Sequence, residues 1–352
     1  MLSIDGSQGE GGGQVLRTSL SLAALTGRPF TLTNIRARRK NPGLRPQHLT
    51  AVRAVAAVCG AVLEGDMLNS QTLVFEPQVF PQDATYRFDV ADAAQGGSAG
   101  AVTLIWQALI WPLLFAPGKS HVTLHGGTHV PFSPPFHYLS QVVLPVLQQF
   151  GVESILELNA WGWYPVGGGE VTAVIQPTNQ LHAPTITVPD TKTVNGIAAV
   201  TNLPAHIPQR MANRAHNLLT DAGFEPHIQP VRERGRGPGA GIVLWLPNGG
   251  FTSLGRKGLP ADVVAETAVT QLLKFTRSGT MVDEHLADQL MIPAALAQGT
   301  TRYTTHRLTG HALTNADLLR QWLGVSIQID GQLDQPAEIV VAGVGFQRDQ
   351  SG

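Results

Sequence analysis

The sequence has one cysteine and no long uninterrupted hydrophobic segment. Cys59 cannot form an internal disulfide, and a single thiol cannot build a multi-cysteine metal site. The longest apolar run, residues 101–116, contains Gln107 and Pro112 and is shorter than the roughly 20 residues of a membrane-spanning helix, so it predicts a buried helix. Residues 1–13 lack the basic and apolar regions of a signal peptide. These absences predict a cytoplasmic protein with no membrane partner.

Acidic residues are missing from one long segment. The formal net charge is −1, but residues 11–63 contain no aspartate or glutamate. The same segment holds eight of the 24 basic residues: Arg17, Arg28, Arg36, Arg38, Arg39, Lys40, Arg45 and Arg53. A nearly neutral protein with one strongly positive segment can bind a polyanion locally. A solvated basic loop would have the same composition, so charge alone leaves both interpretations open.

One order of predicted elements recurs along the chain. A strand, a loop, a helix closed by glycine and a returning strand occur over residues 30–65 and again over residues 121–158. The same order appears at residues 196–229 and, shortened, at residues 302–331. Strands rich in β-branched residues that alternate with glycine-closed helices predict an α/β (α+β) fold of repeated βα units.

Two histidines lie five residues apart in "TTHRLTGHALTNADLLRQWLG". "RYTTHRL" predicts a strand that contains His306. "ADLLRQWL" predicts a helix that Thr314 and Asn315 would cap, with His311 just ahead of it. These patterns alone do not separate a chemical role from that of two surface residues in a strand-to-helix connection.

Five segments, taken in order, carry a family resemblance over essentially the whole chain. They are "DGSQGEGGGQVLR", "IRARRKNPGLRPQHLTA", "GWYPVGGGEV", "HLADQ" and "GHALTN". In these the sequence resembles the RNA 3′-terminal phosphate cyclase family, and the match is weakest over residues 185–278. The resemblance implies repeated units of a four-stranded sheet plus two helices, related to the enolpyruvyl transferases. It also implies a large domain, residues 1–184 and 279–352, with a smaller α/β domain inserted at residues 185–278.

The function implied by the resemblance is ATP-dependent conversion of an RNA 3′-phosphate end to a 2′,3′-cyclic phosphate. A histidine takes AMP from ATP, the RNA phosphate takes the AMP, and the neighbouring 2′-OH closes the ring and expels AMP. The family's H-x-x-T-N box maps the nucleophile onto His311. A neutral imidazole is required, and the positive end of the following helix favours it while attracting the triphosphate.

Other roles carried over from the family concern the nucleotide, the phosphates and a divalent metal, Mg or Mn. The adenosine pocket maps onto Gln107, Pro131, His285, Leu286, Ala287, Asp288 and Gln289. The positions around the phosphates are Arg17, Arg36, Arg39 and Gln47. Glu10 is the expected metal ligand, because it is the carboxylate beside the glycine-rich turn. His285 stands where the family has a tyrosine, so its ring is expected to take over the stacking on adenine.

Two other functions are alternatives to cyclisation. A non-catalytic, RNA-binding ribosome-biogenesis factor of the same family would lack the nucleophilic histidine, which is present here. An enolpyruvyl transferase is suggested by shared architecture alone, and fold does not determine function. The physiological RNA, the oligomeric state and the role of the inserted domain are not readable from the sequence.

Overall fold

The fold begins with a four-stranded unit covered by two helices. A computed structural model of the chain describes residues 1–9, 12–94 and 98–348. The first unit contains β1 (Leu2–Asp5), α1 (Gly13–Thr26), β2 (Phe30–Thr33), α2 (Pro46–Cys59), β3 (Val62–Glu64) and β4 (Leu73–Glu76). Its strands lie in the order β1-β2-β4-β3, with β1 and β2 parallel and β4 antiparallel to both of its neighbours.

The second unit repeats this topology. It contains β5 (Thr85–Asp89), a 3₁₀ turn (Val90–Ala93), α3 (Val102–Leu114), β6 (Ser120–Gly126), α4 (Phe136–Tyr138), a π-helical turn (Leu139–Val143), α5 (Leu144–Gln149), β7 (Ser154–Ala160) and β8 (Gly169–Ile175). The strand order β5-β6-β8-β7 and the strand directions match those of the first sheet. The repetition predicted from residues 30–65 and 121–158 is therefore confirmed.

A third sheet with a core of its own follows. It contains β9 (Thr193–Thr201), α6 (His206–Asp221), β10 (Glu225–Glu233), β11 (Gly239–Leu246), β12 (Gly249–Leu254) and α7 (Ala261–Ser278), in the strand order β10-β9-β11-β12. Apolar side chains such as Met211, Leu244 and Phe275 form a core separate from the main one. The residues from Thr193 to Ser278 are called the inserted domain below.

The last unit is a shortened copy of the first two. It contains α8 (Glu284–Gln289), α9 (Met291–Leu296), β13 (Gln298–Thr305), α10 (Gly310–Leu323), β14 (Ser326–Gly331) and β15 (Ala337–Val344). Its sheet has three strands, β13-β15-β14, instead of the expected four. A single parallel bridge from Val282 to Thr305 stands where the other units have their first strand, because the chain enters directly from the inserted domain.

The apolar run of residues 101–116 forms α3, in the middle of the main core. Every residue of this helix except Gln107 is buried, as expected for a helix packed on several sides. Gln107 is half-buried and faces the cleft described below. Within the described part of the chain, no helix has the length and apolar character needed to cross a membrane.

Neutral rings fill one contact between the second unit and the inserted domain. Trp161 and Trp163 are stacked, with ring centroids 5.6 Å apart, and His129 stacks on Trp161 at 4.5 Å. His129 Nε2 lies 2.9 Å from His137 Nδ1. Burial lowers the pKa of both histidines, that of His137 to about 4, so both are uncharged at neutral pH. Apolar residues of β9 and β11, including Ile197, Ala199 and Val243, line the other side.

The carboxylate of Asp283 joins three parts of the structure. Asp283 is 1% exposed and caps α8, accepting hydrogen bonds from the backbone N–H groups of His285 (2.7 Å) and Leu286 (2.9 Å). It also accepts one from Gly250 N in β12 (2.9 Å) and one from the Tyr138 hydroxyl (3.0 Å). Burial raises the pKa of Asp283, and the backbone donors oppose that rise. One side chain thus fixes the inserted domain against α8 and the second unit.

Removal of this carboxylate is expected to destabilise the protein strongly. Asp283→Ala leaves several buried donors unpaired and should lower the free energy of unfolding by about 3 kcal/mol, whereas Tyr138→Phe removes one hydrogen bond and should cost about 1 kcal/mol. Urea denaturation followed by tryptophan fluorescence measures both. Asp317→Ala, at a side chain that is 75% exposed, is the control and should change stability by less than about 0.5 kcal/mol. Equal losses for Asp283→Ala and Asp317→Ala would contradict this assignment.

Candidate active site

A cleft of about 1290 Å³ lies between the main body and the inserted domain. Residues of α1, α2, α3, α8 and α10 form one wall, and residues of β12 and α7 form the other. The charged side chains among its described lining residues are Arg17, Arg36, Arg39, Lys40, Arg45, Arg256, Lys274, Arg307, Asp283, Glu284 and Asp288. The cleft is larger than the roughly 300–1000 Å³ of a site for one small molecule, and its excess of basic groups suits a polyanion.

His311 lies in the first turn of α10, within this cleft. The helix begins at Gly310, and Thr309 is its N-cap, accepting a hydrogen bond from Ala312 N at 3.1 Å. The prediction that Thr314 and Asn315 cap the helix is therefore wrong, since the threonine of "LTG" already does so. His311 is part of the helix, where the unpaired N–H groups of the first turn give a positive field.

Asn315 connects α10 to two other helices. His311 and Asn315 are four residues apart, so both face the same side of α10. The buried Asn315 accepts a hydrogen bond from Thr18 Oγ1 of α1 at 2.9 Å and donates one to the Asp288 carbonyl of α8 at 3.1 Å. The spacing of the H-x-x-T-N box thus places His311 beside both helices.

Two glycines bring His311 and two predicted arginines together. A Cβ built on Gly12 would lie 3.1 Å from Arg39 Nη2 and 3.8 Å from His311 Cε1. A Cβ on Gly13 would lie 3.0 Å from Arg17 Nη1. The glycine-rich turn therefore provides the space in which the imidazole and the guanidinium groups converge. Burial lowers the pKa of Arg17 to about 10, and the nearby Asp288 carboxylate opposes this effect.

The remaining predicted phosphate residues also line the cleft, with different constraints. Arg36, in a left-handed conformation with φ of 53°, donates from Nη1 to the carbonyls of Asn41 (2.9 Å) and Gly43 (3.0 Å). Gln47 Oε1 accepts a hydrogen bond from Ala101 N at 2.9 Å, so this oxygen fixes the entrance to α3. The structure therefore brings Arg17, Arg36, Arg39 and Gln47 to one cleft.

His48 is a site residue that the sequence analysis missed. It is 5% exposed, its Nδ1 accepts the Arg45 N–H at 3.3 Å, and its Nε2 faces Gly13. Burial lowers the pKa of His48 well below its usual value, and the charges of Arg36, Arg17 and Arg45 lower it further. Because this imidazole is neutral, it fills the space among the guanidinium groups without adding a further positive charge. Its place inside the carboxylate-free segment was the signal that could have identified it.

The predicted adenosine residues of α8 separate into two groups. His285, Asp288 and Gln289 line the cleft, while Leu286 and Ala287 are buried in the main core and do not line it. Gln107 Nε2 donates to Gln289 Oε1 at 2.6 Å, which links α3 to α8. The amide pair and the Asp288 carboxylate offer the donors and acceptors that a nucleoside requires.

Pro131 lines the cleft as predicted, and the residue after it is unusual. Phe132 is 103% exposed and has a φ of 63°, a conformation that non-glycine residues rarely adopt. A fully exposed aromatic ring beside a basic cleft suits stacking on a nucleobase. The sequence analysis assigned no role to Phe132, because nothing in "GGTHVPFSPP" reveals its exposure.

His306 also lies in the cleft, although the sequence predicts it within a strand. Strand β13 ends at Thr305, so His306 begins the loop that leads to α10. Its side chain is 8% exposed, and Nε2 lies 3.8 Å from Glu284 Oε2. Its ring lies edge-on to Phe275 of α7, with centroids 5.7 Å apart. Burial lowers the pKa of His306, and the Glu284 carboxylate opposes this.

The expected metal ligand, Glu10, lies outside the described residues. Among residues 1–9, 12–94 and 98–348, no three His, Cys, Asp or Glu side chains converge so that they could hold a metal ion. The described side chains therefore do not fit a metal held by protein ligands alone. Mg²⁺ bound to substrate phosphates needs fewer protein carboxylates.

Comparison with known proteins identifies the family. The family model described as RNA 3′-terminal phosphate cyclase matches residues 8–329. The RNA 3′-terminal phosphate cyclase of Nostoc punctiforme is 51% identical over 335 residues, which cover 94% of this chain and 96% of that protein. The corresponding cyclase of Ignicoccus hospitalis is 39% identical over 360 residues, which cover 99% and 100%. The chain belongs to the RNA 3′-terminal phosphate cyclase family of enzymes.

A solved structure with limited similarity is that of the enolpyruvyl transferase NikO from Streptomyces tendae. The two chains are 12% identical and have a TM-score of 0.38, and the match covers 98% of this chain and 49% of that one. Similarity at this level carries no argument about the function of the present protein. The α/β architecture with four-stranded sheets instead follows from the strand pairing described above.

Gly13 offers a test of the convergence at the glycine-rich turn. In Gly13→Ala the new Cβ would lie 2.5 Å from His48 Nε2 and 3.0 Å from Arg17 Nη1, which forces both groups to shift. We expect the affinity for inorganic triphosphate, measured by calorimetry, to fall about tenfold or more, since one charge-assisted hydrogen bond contributes about that much. Gly235→Ala, whose nearest contacts begin at 3.5 Å, should bind triphosphate like the parent protein. Unchanged affinity in Gly13→Ala would show that Arg17 does not contact the anion.

Proposed function

We propose that the protein uses ATP to convert an RNA 3′-terminal phosphate to a 2′,3′-cyclic phosphate through AMP bound covalently to His311. The observation that carries this proposal is the convergence of His311 with Arg39 at Gly12, beside Arg17, in the large basic cleft. A nucleophile, groups that neutralise phosphate charge and space for two substrates are the parts that nucleotidyl transfer requires.

In the first step His311 attacks the α-phosphorus of ATP and pyrophosphate leaves. The attack requires a neutral ring nitrogen, and the first turn of α10 disfavours a positive charge there. Arg17, Arg36 and Arg39 are in position to neutralise the pyrophosphate that departs, as guanidinium groups do in other phosphoryl transfers. The product is a phosphoramidate between His311 and AMP.

In the next two steps the RNA end replaces the histidine and then closes on itself. An oxygen of the RNA 3′-phosphate attacks the adenylate phosphorus, which frees His311 and forms an RNA-(3′)pp(5′)A end. The adjacent 2′-OH then attacks the 3′-phosphorus and expels AMP, and its proton passes to solvent. The net reaction consumes one ATP and yields AMP, pyrophosphate and the cyclic end.

The adenosine of ATP is assigned to the wall formed by α3, α8 and the loop at Pro131. Gln107, Asp288 and Gln289 supply polar groups there, and His285 presents an exposed ring that can stack on adenine. Leu286 and Ala287 support this wall from the core. A divalent cation, Mg or Mn, would arrive on the ATP phosphates, where it would neutralise charge.

The covalent intermediate gives the decisive test. Incubation with ATP labelled at the α-phosphate should transfer label to the protein as an acid-labile, alkali-stable adduct. His311→Ala should abolish it, since the proposed bond forms on the His311 ring nitrogen. His216→Ala, at an exposed histidine of α6, is the matched control and should label normally. Label that persists in His311→Ala but disappears in His306→Ala would move the nucleophile to the other histidine. No label at all, with intact RNA binding, would favour a non-catalytic family member.

Neighbouring arginines test the role of the basic loop. Arg39 lines the cleft, whereas the adjacent Arg38 does not and donates to the Gly9 carbonyl at 3.0 Å. Arg39→Ala should lower the rate of adenylation about 100-fold or more, as loss of a group that stabilises transition-state charge does, while Arg38→Ala should change it less than about fivefold. Rapid-quench measurements with labelled ATP follow both rates. Equal rates for the two variants would exclude Arg39 from the site.

A further inference from the structure

Two pairs of basic residues in the inserted domain differ in their surroundings. Arg210 and Arg214 on α6 form ion pairs with Asp262 and Glu266 of α7. Arg256 and Lys274 line the cleft and are exposed, and their side chains form no hydrogen bond or ion pair with another described residue.

Arg256 and Lys274 lie near opposite ends of β12. A Cβ on Gly249, the first residue of β12, would lie 2.9 Å from Phe275 Cε1, so the Phe275 ring packs against the start of the strand. Lys274 is the residue before Phe275. Arg256 follows Leu254, the last residue of the strand. Six strand residues span roughly 20 Å. The two charges are therefore too far apart to bind one phosphate and suit an extended chain of phosphates.

Phe132 lies near the end of β12 that Arg256 follows. Leu254, at the end of β12, and His129 line one small cavity. The end of β12 therefore packs against the loop that begins near His129 and carries Phe132. Phe132 follows His129 by three residues, and Arg256 follows Leu254 by two. Both exposed side chains therefore lie close to the contact between His129 and Leu254. Basic groups that follow a backbone, with an aromatic ring for a base, are the elements with which proteins bind single-stranded nucleic acid.

We propose that the RNA strand 5′ of its reacting end binds along the inserted domain, with Arg256 and Lys274 on backbone phosphates, and that Phe132 of the second unit stacks on one of its bases. This inference rests on the proposed function for the identity of the polyanion. The reacting phosphate and ATP occupy the wall that carries His311, Arg17 and Arg39, and the opposite wall holds the strand. Contacts to phosphates and to base faces are independent of sequence, so this surface selects single-stranded RNA ends by length and not by sequence.

Equilibrium binding tests the surface without relying on catalysis. Fluorescence anisotropy would compare a 12-nucleotide RNA 3′-phosphate with a dinucleotide 3′-phosphate. Arg256→Gln and Lys274→Gln should each weaken binding of the longer RNA about five- to tenfold and lower the slope of log affinity against log salt by about 0.7, the value for one phosphate contact on a single strand. Binding of the dinucleotide should change less than about twofold. The controls, Lys257→Gln and Arg277→Gln, alter exposed neighbours that do not line the cleft and should behave like the parent protein.

Phe132→Ala separates stacking from charge. It should weaken binding of the 12-nucleotide RNA about five- to 100-fold with an unchanged salt slope, because stacking does not release counterions. A rise in the KM for ATP with unaltered RNA binding would instead assign Phe132 to adenine and overturn its role here.

Two results would overturn the role of the inserted domain. One is that the variants weaken binding of the 12-nucleotide RNA and of the dinucleotide by the same factor. The other is that Arg256→Gln and Lys257→Gln change the affinity for the longer RNA equally. Histidine adenylation by ATP, measured without RNA in the parent protein, reports on the proposed function separately. If adenylation is absent but RNA binding depends on length as expected, the proposed covalent mechanism is disproved while the proposed RNA-binding surface is supported.

Discussion

The position of the inserted domain depends on a single buried carboxylate, that of Asp283. Its oxygens accept hydrogen bonds from α8, β12 and Tyr138, so three separate parts of the chain are satisfied by one group. A buried charge destabilises the folded state unless hydrogen-bond donors surround it. Buried donors left without an acceptor also destabilise the folded state. These hydrogen bonds tie the inserted domain, which carries Arg256, to the main body, which carries His311.

The basic wall of the cleft holds charges that repel one another in the absence of ligand. Burial, followed by the charges of Arg45 and Arg39, lowers the pKa of Arg36, and burial lowers that of Arg17 to about 10. His48 stays neutral between them, and Asp288 compensates part of the charge on Arg17. Bound phosphates offset this repulsion. The electrostatic energy that the folded wall costs without ligand is therefore recovered when a triphosphate binds, and this contributes to its affinity.

The repeated fold was predictable because strand and helix periodicities are local, and that prediction is confirmed. The buried helix α3 followed from the apolar run in the same way. The capping of α10 was predicted wrongly, because Asn315 serves contacts to Thr18 and Asp288 that are distant in sequence. The exposure of Phe132 depends on the three-dimensional structure, and the sequence carries no signal for it. The position of His48 in the carboxylate-free segment was a signal, but its burial among the arginines follows only from packing. His311 as nucleophile stays a prediction.

The stack of Trp161, Trp163, His129 and His137 has a consequence for the mobility of the inserted domain. All four rings are uncharged at neutral pH, because burial holds the pKa values of both histidines low. Dissolved salt screens interactions between charges but leaves contacts between neutral rings almost unaffected. Added salt would therefore weaken the proposed binding of RNA in the cleft without loosening this contact between the second unit and the inserted domain.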